Sequence, residues 1–128
     1  MNAEIKILIV DDFASVRKII KNQLRQFGFL NIAEAADGIA ALNIIKSGEI
    51  DLIISDWNMP NMSGLELLKA VRSDETFGKI PFLMLTVESS RKNIQEAIKG
   101  GVSNYIAKPF SPETLNEKIT QIMEKQGL

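Results

Sequence analysis

Short apolar runs in this chain are followed, one after another, by residues that can do chemistry. Asp11 and Asp12 follow the run at 5–10, and Asp56 comes two positions after the run at 52–54. Thr86 lies at the end of the run at 82–87, and Lys108 with Pro109 follows the run around 105–107. Only the run at 32–36 leads to a residue, Asp37, that reads as the cap of a helix. Taken one at a time, each has a plain structural reading: an Asp after a strand caps a helix, and a Lys is surface charge. Repeated at the ends of successive runs, they are hard to explain by capping. The chain has no histidine and no cysteine. That removes the commonest general base, the commonest transition-metal ligand and any thiolate nucleophile.

What remains is oxygen chemistry around one ammonium. Clustered carboxylates raise one another's pKa unless a cation sits among them. An all-oxygen donor set favours a hard ion, and Mg²⁺ fits best because it accepts a few carboxylates and keeps several waters. Three carboxylates, one Mg²⁺ and one lysine balance in charge. A balanced site of this kind suits a phosphoryl group, whose equatorial oxygens need electrostatic clamps in the transition state. The acceptor would be an aspartate, already ionised at neutral pH, and the product an acyl phosphate.

The elements that must position these groups are written in two alternating patterns. Runs of about four to eight apolar residues suit strands buried on both faces of a parallel sheet. Between them lie helical spacings. Val16, Ile19, Ile20, Leu24 and Phe27 form one stripe, with Gly28 where a C-terminal cap belongs. Leu115, Ile119, Ile122 and Met123 form another, opened by Ser111 as N-cap, Pro112 and Glu113. Asp37 and Ser63 are expected to cap the second and third helices, and Ser89 or Ser90 the fourth. The pattern is β-α repeated five times: an α/β, doubly wound (βα)5 fold with helices on both faces of a five-stranded parallel sheet. In such a sheet, sites form at the carboxyl ends of the strands.

The 128 residues are expected to make one domain, 1–128, without an output domain. A net charge of −1 gives no electrostatic reason to expect nucleic acid or an anionic membrane as partner. The opening MNAEIKILIVDD does not read as a signal peptide, because acidic residues follow only a short apolar run. The longest near-continuous apolar segment, 80–87, is far shorter than the roughly 18 residues of a membrane span. A soluble, cytoplasmic protein is expected.

Four motifs carry a resemblance: VDD at 10–12, SDWNMPNMSG at 55–64, LTVE at 85–88 and YIAKPF at 105–110. They resemble those of two-component receiver domains, and most closely the single-domain chemotaxis response regulators; the similarity runs end to end. It implies the flavodoxin-like strand order 2-1-3-4-5, which sets Asp11 and Asp12 against Asp56. It further implies that Asp56 is the phosphoacceptor. Asp12 and Asp56 would hold Mg²⁺ directly, Asn58 through its backbone carbonyl and Asp11 through water. Lys108 and Thr86 would each bind a phosphoryl oxygen, and the Lys108–Pro109 bond would be cis. Phosphorylation would draw Thr86 inward and let Tyr105 rotate. The face formed by the fourth helix, fifth strand and fifth helix would then bind a flagellar motor switch protein, through Arg91, Ile94, Tyr105 and Lys118. Without the resemblance, Ile94 reads as core packing, and Arg91 and Lys118 as solvated charge. The phosphoryl donor would be a chemotaxis histidine kinase or a small acyl phosphate. A dedicated phosphatase is a further partner to consider, and the protein would act as a monomer, modifying only itself rather than as an enzyme.

Two positions depart from the family. Val87 stands where a small residue is usual, and its branched side chain should crowd the approach to Asp56. Ser63 replaces an acidic residue but is itself a good N-cap. Asn58 and Glu88, which flank the path of hydrolytic water, match the family. Among rivals, a flavodoxin-like redox protein needs a hydroxyl-rich phosphate loop where Asp11 and Asp12 stand, and a P-loop nucleotidase needs a motif that is absent. An aspartyl-nucleophile, Mg²⁺-dependent phosphatase usually carries a second Asp two residues after the first, where this chain has Asn58. A receiver that only drains phosphate from the kinase, and a module that is never phosphorylated, are the remaining alternatives; the complete Asp, Thr and Lys set argues against the latter.

Overall fold

The computed structural model describes residues 4–87 and 91–126, so Glu88, Ser89 and Ser90 lie outside the described residues. Five strands alternate with five helices: β1 (Ile7–Val10), α1 (Ala14–Gln26), β2 (Ile32–Ala35), α2 (Gly38–Ile45), β3 (Leu52–Asp56), α3 (Gly64–Arg72), β4 (Phe82–Thr86), α4 (Arg91–Lys99), β5 (Asn104–Ala107) and α5 (Pro112–Gln126). They form one sheet of order β2-β1-β3-β4-β5, with every neighbouring pair parallel.

Alternation along the strands divides the core into two layers. Ile7 and Ile9 of β1 face Ile20 and Leu24 of α1 and Leu115, Ile119 and Ile122 of α5. Leu8 and Val10 face the other way, onto Ala41 and Ile45 of α2 and Leu67, Leu68 and Val71 of α3. Every residue of β1, β3 and β4 is buried, as the continuous apolar runs require. The edge strands differ from that expectation. β2 buries only Ala35 and β5 only Ile106, because each has a neighbour on one side alone.

Element ends follow local chemistry. Asp37 Oδ1 accepts from the Ala40 amide at 2.8 Å, Ser63 and Glu66 form a reciprocal capping box, and Ser111 Oγ accepts from the Thr114 amide at 3.1 Å. Gly28 follows α1 with a φ of 87°, where a side chain would be strained. The third strand reaches further than its apolar run, carrying Ser55 and Asp56 inside the sheet. The fourth stops at Thr86, leaving Val87 in the loop and 60% exposed.

Candidate functional site

Register places the acidic residues. Val10 pairs with Ser55 across β1 and β3, so the chain reaches Asp11 and Asp56 at the same level of the sheet. Strand β4 ends one residue beyond the Asp56–Leu85 pair, which puts Thr86 beside this edge. Thr86 in turn pairs with Ala107, and its carbonyl accepts from the Lys108 amide at 2.7 Å. The consecutive ends of β1, β3, β4 and β5 thus bring together Asp11, Asp12, Asp56, Thr86 and Lys108.

Lys108 Nζ lies 2.9 Å from Asp56 Oδ1 and 3.6 Å from Asp11 Oδ2. Asp11, Asp56 and Thr86 are all buried, at 1%, 7% and 6% exposure. Ligand oxygens of Asp11, Asp12 and Asp56 lie within 4.8 Å of one another. Asp11 is oriented by its own loop: its Oδ1 accepts from the Phe13 amide at 2.9 Å, at the start of α1. Burial pushes the Asp11 carboxyl above the usual carboxylate range. The Phe13 hydrogen bond opposes that push, Asp56 reinforces it, Lys108 opposes it and Asp12 adds a smaller upward contribution.

Lys108 pairs with Asp11 and Asp56, and among the described residues two buried oxygens, Asp11 Oδ2 and Asp12 Oδ1, have no hydrogen-bond partner. Buried acceptors left in this way carry a desolvation cost that a cation would remove. The donor set is all oxygen, within the reach of one ion, and short of positive charge. These residues fit a hard divalent cation.

The rim is built by two loops. Gly64 at the head of α3 donates its amide to the Trp57 carbonyl at 2.8 Å, closing the loop that leaves Asp56. A Cβ at Gly64 would collide with the Asp56 carbonyl oxygen, so no larger residue suits this position. Asn61 turns the same loop with a φ of 68°, a conformation that Asn tolerates well. Trp57, Asn58, Thr86, Val87 and Asn93 line a hollow of about 410 Å³ beside the cluster. The Lys108–Pro109 bond is cis.

The expected output residues sit on one stretch of surface elements: Arg91 and Ile94 on α4, Tyr105 on β5 and Lys118 on α5. Arg91 is exposed and Ile94 is half-buried. Tyr105 is half-buried against the α2–α3 layer of the core, with Lys118 Nζ 5.9 Å from its ring centroid.

Two arginines escaped the motif reading. Arg17 of α1 donates to the Asp11 carbonyl at 2.7 Å and to Glu34 of β2 at 3.1 Å, tying the Asp11 loop to the sheet. A basic residue six positions after the first aspartate, on a helix that folds back over the loop, was the only available signal. Arg72, at the end of α3, donates to the carbonyls of Gly101, Gly78 and Ile80 at 2.8, 2.9 and 2.6 Å. It joins the loops that enter β4 and β5, and burial draws its guanidinium below the ordinary value. Nothing in its sequence neighbourhood announced those partners.

The family model described as "Response regulator receiver domain" matches residues 7–120. The chain is 50% identical over 125 residues to "Chemotaxis protein CheY-3" of Vibrio cholerae serotype O1, covering 98% of this chain and 96% of that relative. It is 52% identical over 120 residues to "Chemotaxis protein CheY" of Pseudomonas aeruginosa, covering 94% of this chain and 97% of the relative. Among solved structures, Vibrio cholerae chemotaxis protein CheY4 superposes with a TM-score of 0.87 at 39% identity, over 93% of this chain and 98% of that one. Strand order, acidic cluster and full-length similarity agree, and the chain belongs to the response regulator receiver domain family, in its CheY-type chemotaxis group.

Proposed function

We propose that Asp56 accepts a phosphoryl group in a Mg²⁺-dependent reaction, with a chemotaxis histidine kinase or a small acyl phosphate as donor. The observation that carries this reading is the Lys108 ammonium, 2.9 Å from Asp56 Oδ1 and beside buried Asp11 and Asp12 oxygens that accept no hydrogen bond among the described residues. Asp12, Asp56 and the Asn58 backbone carbonyl would hold the ion, with Asp11 acting through water. Bound there, Mg²⁺ supplies charge neutralisation for the incoming phosphoryl oxygens. Asp56, anionic and fixed at the end of a buried strand, is the nucleophile. Lys108 shifts from the carboxylate to a phosphoryl oxygen, and the Thr86 hydroxyl donates to another.

Phosphorylation takes Asp56 from −1 to about −2 and adds acceptor oxygens, which supports a switch through Thr86 and Tyr105. Arg91, Ile94, Tyr105 and Lys118 would then engage a flagellar motor switch protein. The chain acts on itself as a monomeric cytoplasmic regulator, not as a turnover phosphatase, since Asn58 occupies the position where such phosphatases carry their acid. No described helix is long and apolar enough to cross a membrane. Glu88 and Val87 would set how readily water and donor reach the site.

The test is incubation with acetyl phosphate and Mg²⁺, followed by mass spectrometry. A transient, base-labile phosphoprotein that Asp56→Asn does not form is expected. Multiple-turnover hydrolysis of diverse phosphomonoesters would overturn the reading.

A further inference from the structure

An apolar groove of about 380 Å³ borders Lys108 of the acidic cluster, and its apolar walls have no assigned role. Val16, Ile19 and Ile20 of α1 form one wall, and Val87, Pro109 and Phe110 form the other. Its volume falls in the range of roughly 300–1,000 Å³ typical of small-molecule sites. Ile19 and Val87 are 57% and 60% exposed, so much apolar surface is left facing water.

Lys108 also lines this groove and is the one charged side chain among its described lining residues. Its Nζ contacts Asp56, so this one residue touches both the groove and the acceptor carboxylate. The groove therefore joins one cationic residue of the acidic site to an apolar channel along α1. That channel runs down α1 from Val16 to Gln23, about 10 Å at 1.5 Å per residue. Val87 stands between the channel and the hollow shared with Thr86 and Asn58. An occupant must be anionic at one end and apolar along its length.

We propose that this groove holds the acyl chain of a small phosphoryl donor, making apolar acyl phosphates better substrates for Asp56 than acetyl phosphate. The inference rests on the acceptor role of Asp56 proposed above. An Asp56 carboxylate oxygen bonds to phosphorus as the bond from phosphorus to the acyl oxygen breaks. The leaving group departs with that electron pair as a free carboxylate, and no proton, oxidant or further reactant is needed. The departing carboxylate carries off the negative charge on the side of phosphorus opposite the attacking oxygen, while its chain stays in the groove. Binding of the chain is the same before and after transfer, so the gain belongs in KM rather than kcat.

Phosphorylation rates with hexanoyl phosphate and acetyl phosphate, in Mg²⁺, test the proposal. Each buried methylene contributes a factor of about four, so burying part of the longer chain predicts a kcat/KM advantage of about ten-fold. Ile19→Ser should bring the ratio of the two donors close to one. Ile19 is exposed enough for this change to leave folding intact. In metal-free protein, hexanoate should shift the methyl NMR signals of Val16, Ile19 and Val87, and acetate should not. Equal rates for the two donors, or a ratio unmoved by Ile19→Ser, would overturn the groove assignment. If neither donor forms a phosphoprotein, the acceptor reading fails instead, and the hexanoate titration alone decides the groove.

Discussion

Lys108 Nζ sits 2.9 Å from Asp56 Oδ1, although 52 positions separate the two residues. The contact exists because β3 and β5 flank β4 in the sheet, and both chains turn out at its carboxyl edge. This ammonium compensates the acidic cluster in the absence of metal and competes with any cation that enters. Lys108→Met should therefore tighten Mg²⁺ binding while slowing phosphoryl transfer, by about 10²-fold if Lys108 clamps the transition state as a single donor does. Titration with Mg²⁺ and the acetyl phosphate rate measure the two effects. Weaker Mg²⁺ binding in the variant would contradict the competition.

Asp11 is expected to destabilise the metal-free fold. Its carboxyl is pushed above its ordinary 3.8, chiefly by burial, so the folded chain holds this proton more tightly than the unfolded chain. Its contribution favours folding below that ordinary value and is lost as pH rises through the raised one. Without metal at pH 7, Asp11→Asn should be the more stable protein by about 1 kcal/mol, or about 4 °C in melting temperature. The gap should close on acidification, and Mg²⁺ should narrow or reverse it by stabilising the natural protein more than the variant, which keeps the direct ligands. Thermal melts at two pH values, with and without Mg²⁺, show whether the signs are right.

Val87 projects from the loop after β4, lining the hollow that also holds Thr86 and Asn58. Trimming it to Ala should speed transfer from acetyl phosphate, hydrolysis, or both, by roughly five-fold, the effect of about 1 kcal/mol on a barrier. Because it is exposed, stability should change by less than about 0.5 kcal/mol. Two unchanged rates would show that the side chain does not crowd the site.

Gly64 is required by close approach rather than by backbone angle. Any Cβ there meets the Asp56 carbonyl oxygen and also comes within 2.9 Å of Met84 Sδ. Gly64→Ala should cost about 2 kcal/mol or more, since main chain must shift. Because the displaced atoms belong to Asp56, Mg²⁺ affinity should fall as well. A variant that melts and binds Mg²⁺ like the natural protein would refute the steric account.

Trp57 is the only tryptophan and directly follows Asp56. Its amide donates to the Leu85 carbonyl at 2.9 Å, and its side chain is half-buried against the core. Mg²⁺, and then beryllofluoride, should each change its fluorescence, and Asp56→Asn should abolish the second response. A folded protein silent to both in ample Mg²⁺ would weigh heavily against the proposed centre.

Much of this molecule is written locally. The apolar runs, the helical stripes and the caps at Asp37, Ser63 and Ser111 depend on neighbours within a turn or two, so reading the chain suffices to find them. So does the recurrence of Asp, Thr and Lys after successive strands, which pointed to the acidic centre before any contact was seen. Strand order came with the family resemblance, because alternation constrains the faces of a strand but not its neighbours. Other features depend on residues far apart in sequence. Folding decided that Asp11 Oδ2 and Asp12 Oδ1 accept no hydrogen bond among the described residues, and that Arg72 reaches the Gly101 carbonyl 29 positions away. It also decided that Val87, one residue past a buried strand, turns outward to line an apolar groove with α1 and Phe110. Such outcomes are set by packing across the sheet, where burial and partner are properties of position in space.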